Sequence, residues 1–224
     1  MTKIPQSIDS KVRSRIYGHG RGWVFTPRYF QGLGQSAAID SSLRRLRAGR
    51  VIRQLARGLY EYPLQDPQLG LVSPSADAIA RALAVRDAIR LQPAGAYAAN
   101  ILGLSGQVPS RIAFLTDGPS RKVKIGRREI RLQHTTPRNM ATAGRASGTL
   151  IQALRHLGQN QVDADALAAL RRHLAAISGA DRASIRKDLA HAPAWIANLL
   201  LPLLNSPASP SPASSASSIS ATVA

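Results

Sequence analysis

The spacing of apolar residues along the chain switches repeatedly between the period of a helix and the period of a strand. Apolar side chains recur every three to four residues in 7–48, 73–104 and 147–203. They form short runs, or alternate with polar side chains, in 51–62 and 112–133. Because helices and strands bury different sets of positions, a chain with both periods in separate blocks is expected to adopt a mixed α+β fold. Aromatic residues make up only 4% of the chain, so its interior is built mainly from Leu, Ile, Val and Ala.

The balance of charge points to an anionic partner. The chain carries 30 Lys and Arg against 12 Asp and Glu, a formal net charge of +18. Residues 1–70 and 71–145 each carry 12 basic against 4 acidic residues, whereas residues 146–204 carry 6 against 4. Because the basic residues are interleaved with apolar ones, they indicate folded basic surfaces, and a polyanion is the expected partner.

Several kinds of chemistry lack the residues they need. The absence of cysteine excludes disulfides, thiol nucleophiles, iron–sulfur clusters and Cys-ligated zinc. The five histidines form no close pair, and no phosphate-binding loop or nucleophile motif is present. Asp117 before a glycine is typical of a turn, and Asp163 and Asp165, although spaced like metal ligands, stand where a helix begins. We therefore expect no cofactor, no metal site and no enzymatic activity.

The first 70 residues carry predicted elements in the order of a winged helix-turn-helix DNA-binding domain. A proline at the first position of the second helix and a glycine behind the third mark their ends. The two strands flank a tight turn and predict a hairpin, the wing. The elements are a helix, a short helix, a third helix and two strands: Ser7–Gly18, Pro27–Phe30, Ser36–Ala48, Val51–Leu55 and Leu59–Tyr62.

The third helix is the candidate recognition helix. Ile39, Leu43 and Leu46 share one side and predict its buried face. The exposed side has small, hydroxyl and basic residues, which suit close approach to a DNA major groove, and an arginine stands at the tip of the hairpin. The alternative is a small helical domain whose arginines form a solvated surface. The predicted DNA-binding residues are Ser36, Ser41, Arg44, Arg45 and Arg57.

The same region resembles a known family. The segments Leu43–Leu46, Gly49–Ile52 and Arg57–Pro63 resemble the N-terminal domain of AbiEi-type antitoxins, which belong to bacterial abortive-infection toxin–antitoxin pairs. The resemblance implies a DNA-binding winged helix that represses the promoter of its own pair, at inverted repeats in double-stranded DNA.

Residues 71–204 predict a helical domain that contains a small antiparallel β-meander. Helices are predicted from Ser73 to about Leu91, where Gln92–Pro93 ends the first, and from Gly95 to Leu104. Three strands follow with one apolar face, joined by turns at Asp117–Pro119 and Gly126–Arg128. We expect a second basic face on this meander and its turns, formed by Arg121, Lys122, Lys124, Arg127, Arg128 and Arg131.

Two further segments strengthen the resemblance. Ala98–Ser105 and Leu115–Arg121 are similar to the AbiEi/DUF6088 group, and the similarity extends over about residues 7–204. It implies an antitoxin whose cognate toxin is a nucleotidyltransferase, and it leaves open whether the two proteins touch. A module that binds RNA or nucleoprotein, without a toxin partner, is the alternative function.

The ends of the chain predict neither a signal peptide nor a membrane anchor. The first 20 residues contain no apolar run, and the longest apolar stretch, Ala192–Leu204, is too short to cross a bilayer. In residues 205–224, 16 of 20 residues are Ser, Ala or Pro, which predicts a disordered tail. We therefore expect a soluble cytoplasmic protein with domains at 1–70 and 71–204 and no contact with membranes.

Overall fold

The computed structural model describes residues 7–107, 109, 111–126 and 128–205. The tail prediction falls outside this part of the chain, except at Asn205, which ends a helix. The fold is mixed α+β, as the alternating periods predict. Its first elements are α1 (Ile8–His19), β1 (Val24–Phe25), a 3-10 helix (Pro27–Phe30), α2 (Ser36–Ala48), β2 (Arg53–Ala56) and β3 (Leu59–Glu61).

Local sequence explains how these first elements begin and end. The hydroxyl of Ser7 accepts a hydrogen bond from the Ser10 amide, 3.2 Å away, and starts α1. Strand β3 lies between β1 and β2 in a three-stranded antiparallel sheet, with Phe25 opposite Tyr60. A core cluster of residues from α1, the 3-10 helix, α2, β1 and the residue before β2 holds them together: Val12, Ile16, Phe25, Phe30, Ile39, Leu43, Leu46 and Ile52.

A second hairpin follows the first and was not predicted. Strands β4 (Leu64–Asp66) and β5 (Gly70–Val72) pair antiparallel. Their turn is closed by the carboxylate of Asp66, which accepts hydrogen bonds from the amides of Gln68 and Leu69 at 2.8 and 2.9 Å. Asp66 before Pro67 was the available sequence signal for this turn.

The helix predicted over Ser73–Leu91 is shorter in the structure. Helix α3 covers Ala76–Asp87, and Leu91–Ala94 forms strand β6 instead of the end of the helix. The backbone turns at Ala88, which is left-handed with φ of 54°. Strand β6 lies at the edge of its sheet, where a proline such as Pro93 is tolerated because it donates no ladder hydrogen bond.

The predicted antiparallel meander is wrong in its strand order. Helix α4 (Gly95–Ile101) and strands β7 (Ile112–Thr116), β8 (Arg121–Ile125) and β9 (Arg128–His134) follow β6, and the sheet has the order β6-β7-β9-β8. Strand β9 pairs with β8 in the expected antiparallel hairpin, but it also pairs with β7 in parallel. Strand β9, which buries Ile130 and Leu132, thus takes an inner position, and the lysine-bearing β8 lies at the edge.

The turn at Asp117 explains why β7 and β8 are not neighbours. The Asp117 carboxylate accepts hydrogen bonds from the backbone amide and the Nε of Arg90, both at 2.8 Å. A Cβ on Gly118 would lie 2.6 Å from the Ile89 side chain. These contacts bind the end of β7 to the chain before β6, so the turn leads the chain away from β7 instead of folding it back.

Four helices complete the chain, as the helical period of the apolar residues in 147–203 predicts. Their apolar sides, with residues of α4, form one core cluster, in which Leu154, Leu170 and Leu200 are fully buried. Another cluster joins Val24 and Leu59 of the first sheet to α3 and the second sheet, so apolar contacts cross residue 70. The helices are α5 (Ala146–Leu157), α6 (Ala164–Ala176), α7 (Gly179–Asp188) and α8 (Ala194–Asn205).

Candidate nucleic-acid interface

Helix α2 is locked against α1 by one carboxylate. Asp9 of α1 accepts a hydrogen bond from the buried Ser42 hydroxyl at 2.8 Å, and from Nη2 and Nε of Arg45 at 2.8 and 3.3 Å. The hydrogen bonds from Arg45 and then Ser42 hold the pKa of Asp9 below its ordinary value. Two polar contacts, added to the apolar stripe of Leu43 and Leu46, fix the rotation of α2 about its axis.

The fixed rotation decides which predicted residues of α2 face outward. Ser36 and Arg44 are exposed, and Ser41 is half-buried. Arg44 forms no hydrogen bond or ion pair with any described residue. The Arg45 side chain is 64% exposed but is held by Asp9. Of Arg44 and Arg45, Arg44 is therefore the one whose guanidinium is available to a ligand.

The hairpin tip lies beside the start of α2. Gly58 has a φ of +66°, which a glycine adopts without strain, and the neighbouring Arg57 is exposed. The carbonyl of Arg57 accepts a hydrogen bond from Nη1 of Arg86 in α3 at 3.1 Å. Ser36, Gly58, Arg28 and Arg86 line one open depression of about 550 Å³. The structure thus brings Ser36 and the tip of the β2–β3 hairpin together, and it adds Arg28 and Arg86, which sequence reasoning missed.

The second basic face is smaller than predicted. Lys122 and Lys124 are exposed on β8, with Arg131 and Glu129 opposite them on β9. Nε of Arg131 donates to Glu129 at 2.7 Å, and this hydrogen bond lowers the pKa of Glu129. The face therefore has three cations and one anion, a net surplus of two positive charges.

Two other predicted members point to the opposite side of the sheet. Arg121 forms an ion pair with Asp87 of α3, and Arg128 donates to the Pro74 carbonyl at 3.0 Å. Burial opposes ionisation of Asp87, but hydrogen bonds from Arg86 and Arg121 outweigh it and lower the pKa of Asp87. Successive strand residues alternate between faces, so neither arginine can share a surface with Lys122. Arg127 lies outside the described residues.

A groove rich in arginine was missed by sequence reasoning. Arg21, Arg47, Arg50 and Arg53 line a depression of about 710 Å³ at the C-terminal end of α2. Arg47, Arg50 and Arg53 recur every third residue across the end of the helix, and that spacing was the available sequence signal.

The two aspartates considered as metal ligands lie at the start of a helix. Asp163 caps α6 by accepting a hydrogen bond from the Ala166 amide at 2.8 Å, and Asp165 lies in the first turn of that helix. In the part of the chain that the structure describes, no three His, Asp or Glu side chains are grouped as a metal would require. None of the described helices is both long and apolar enough to cross a membrane.

Comparison with known proteins identifies a family. A family model described as "Family of unknown function (DUF6088)" matches residues 11–178, which include α2, both hairpins and the second sheet. The crystal structure of the RV2827C protein from Mycobacterium tuberculosis is similar, with 19% identity and a TM-score of 0.42 over 93% of this chain and 80% of that one. No curated protein matches the sequence.

Proposed function

Because the chain belongs to DUF6088, a family of unknown function, its activity has to be inferred from its own residues, and we propose that it binds duplex DNA through α2 and the β2–β3 hairpin. In this proposal residues 1–70 act as a winged helix, with α2 as recognition helix and Arg57 on the wing. Ser36, Ser41 and Arg44 contact the major groove, and Arg45 supports α2 from the side.

The order and pairing of the first six elements carry this proposal. A helix, a strand, a short helix and a longer helix precede a two-stranded hairpin, and the strands pair in the order β1-β3-β2. A winged helix has this arrangement, in which the hairpin tip flanks the recognition helix. Ser36 and Gly58 share one depression here, and the five guanidinium N–H donors of Arg44 have no partner among the residues that the structure describes.

The biological role we propose is that of an antitoxin that represses its own promoter in the bacterial cytoplasm. This part rests on the resemblance of residues 43–46, 49–52, 57–63, 98–105 and 115–121 to AbiEi-type antitoxins. The net charge of +18 suits a DNA-binding protein, because contacts with phosphates provide most of the non-specific affinity for DNA. A nucleotidyltransferase toxin is the proposed cognate partner.

The DNA-binding proposal is tested by selecting duplexes from a randomised pool with the full chain and then comparing variants on the selected sequence. Arg44→Ala should weaken binding to the selected duplex by about 1–3 kcal/mol while leaving a scrambled duplex less affected. Arg172→Ala is the matched control, because Arg172 is an exposed helical arginine on α6, outside the proposed interface.

Two results would contradict the proposal. Equal affinity of wild type and folded Arg44→Ala for the selected duplex would remove α2 from recognition. A marked preference of the wild-type chain for RNA over duplex DNA would instead favour the alternative function, an RNA-binding module.

The antitoxin role needs a separate experiment in cells. The full chain and the product of the adjacent gene are expressed from foreign promoters, so that repression plays no part. Growth should be restored when both are present, and Arg44→Ala should rescue as well as wild type. The whole chain is used because the core cluster around Val24 and Leu59 crosses residue 70. Failure of the wild-type chain to restore growth would leave a DNA-binding protein without an antitoxin function.

A further inference from the structure

Two depressions beside β2 meet at shared lining residues, and together we call them the arginine groove. The larger, of about 710 Å³, lies at the C-terminal end of α2, and the smaller, of about 370 Å³, extends to the β8–β9 turn. Arg53 and Gln54 line both. The groove therefore runs from the proposed recognition helix, past an edge strand, to the second sheet.

The charge of the groove is one-sided. Its described lining contains five arginines and no acidic side chain. Arg53 is paired at 2.5 Å with Glu61, which lies beneath it and is only 1% exposed. The remaining four arginines, Arg21, Arg47, Arg50 and Arg128, give a surplus of positive charge that no described residue of the lining offsets.

Neighbouring groups hold several of these guanidinium groups in place. Arg47 donates to the side-chain oxygen of Gln54. The guanidinium carbon of Arg21 lies 4.9 Å from the centre of the Tyr62 ring, and its Nη1 donates to the Pro63 carbonyl at 3.2 Å. Such contacts reduce the entropy that these side chains would lose when an anion binds.

Arg50 is present at a conformational cost. It occupies the left-handed position that ends α2, with φ of 55°, where glycine is the usual residue. The amide of Val51 bonds to the Leu46 carbonyl at 2.9 Å, and that of Arg50 to the Arg47 carbonyl at 3.0 Å, as in a Schellman motif. A charged, exposed side chain is thus kept at a backbone position that disfavours it.

We propose that the arginine groove binds the phosphate backbone of the duplex that α2 reads, and leads it past β2 to the β8–β9 turn. This inference rests on the proposed function. Arg47 lies one turn beyond Arg44 on α2, so the groove begins where the recognition surface ends. Guanidinium groups pair well with phosphate oxygens. Their distribution along both sides of β2 fits a polymer with repeated phosphates better than a single compact anion.

The test measures how binding of the full chain to a duplex of mixed sequence, about four helical turns long, depends on salt. Arg50→Ala and Arg128→Gln each remove one cation, from opposite sides of β2. In wild type, Arg128 donates a hydrogen bond to the Pro74 carbonyl at 3.0 Å, and the glutamine keeps an N–H donor for this carbonyl. Each variant should reduce the magnitude of the negative slope of log K against log salt by about 0.9, the value for one lost phosphate contact.

Arg172→Ala serves as the control, because it changes the net charge equally on α6 and should leave the slope unchanged. Equal slopes for wild type, Arg50→Ala and Arg128→Gln would overturn the inference. A shallower slope for Arg50→Ala, with the wild-type slope for Arg128→Gln, would overturn the path beyond β2. Circular dichroism of each variant confirms that it is folded.

The outcomes also separate this inference from the function on which it rests. If Arg44→Ala loses sequence discrimination while the groove variants keep the wild-type slope, only the groove proposal fails. If the wild-type chain binds no duplex, both fail. If a single-stranded oligonucleotide binds more tightly than the duplex and depends on Arg50 and Arg128, the groove holds a single strand and the duplex proposal is overturned.

Discussion

Replacing Arg50 by glycine should make the protein more stable. An L-residue in the left-handed region costs about 1–2 kcal/mol relative to the right-handed helix, and Arg50 has a φ of 55°. Glycine relieves that cost but loses about 0.5–1 kcal/mol through the entropy of the unfolded chain. The net gain for Arg50→Gly is about 0.5–1 kcal/mol, which in a chain of this size raises Tm by about 1–4 °C.

The structure provides matched controls for this prediction. Arg50→Ala removes the same side chain but keeps the left-handed strain, so its stability should stay near that of wild type. Ala88→Gly acts at the end of α3, where φ is 54°, and should be stabilising by a similar amount without a change of charge. Only Arg50→Gly and Arg50→Ala should weaken DNA binding, because only they remove a guanidinium from the arginine groove.

Thermal and urea denaturation followed by circular dichroism measure these differences. If Arg50→Gly is no more stable than Arg50→Ala, the backbone at this position carries no relievable strain, and the reasoning fails. If both variants are clearly less stable than wild type, the Arg50 side chain itself contributes to stability.

Three other perturbations test the packing. Gly148→Ala should destabilise the protein by about 1–3 kcal/mol, although alanine usually favours a helix, because its Cβ would overlap the Thr142 carbonyl; chemical denaturation measures the loss, and a gain would show that the site can relax. Asp9→Asn should reduce folding stability at neutral pH, and the stability of the variant should decrease less than that of wild type as pH falls. The pKa of Asp9 is lowered chiefly by Arg45. The contribution of the ionised carboxylate to folding stability is therefore present above the ordinary carboxyl pKa and is lost as pH falls through the lowered value. Urea denaturation at several acid pH values measures this, and if the pair is unimportant, wild type and Asp9→Asn lose stability equally in acid. Leu43→Ala, at a side chain 1% exposed, should cost about 2–5 kcal/mol by the same assay, and a much smaller loss would mean that α2 is not anchored by this face.

Local chemistry explains most of the helices. Ser7 and Asp163 accept hydrogen bonds from amides three residues later, and Ile39, Leu43 and Leu46 are buried as their spacing predicts. These features depend on residues within a turn or two of each other, so they can be inferred from the sequence. The first hairpin belongs to the same class, because its strands are joined by a short turn.

Contacts between distant segments account for the errors. Leu91–Ala94 continues an apolar pattern that follows α3, and it becomes a strand only because β7 offers it a partner. The predicted hairpin between β7 and β8 does not form because Arg90 and Ile89, almost thirty residues earlier, hold the Asp117–Gly118 turn. Strand order depends on such contacts between distant segments, and alternation within one strand does not contain that information.

The sequence by itself determined the fold class, the positions of most helices, the buried face of α2 and the strong positive charge. Each follows from composition or from short-range periodicity. Only the tertiary structure decided which cations share a surface. It placed Arg121 on Asp87 and Arg45 on Asp9, left Arg44 uncommitted, and gathered Arg21, Arg50 and Arg128 into one groove. The physical reason is that a guanidinium on a flexible side chain takes its role from the carboxylates and carbonyls that folding brings within reach, and those partners come from other elements of the chain.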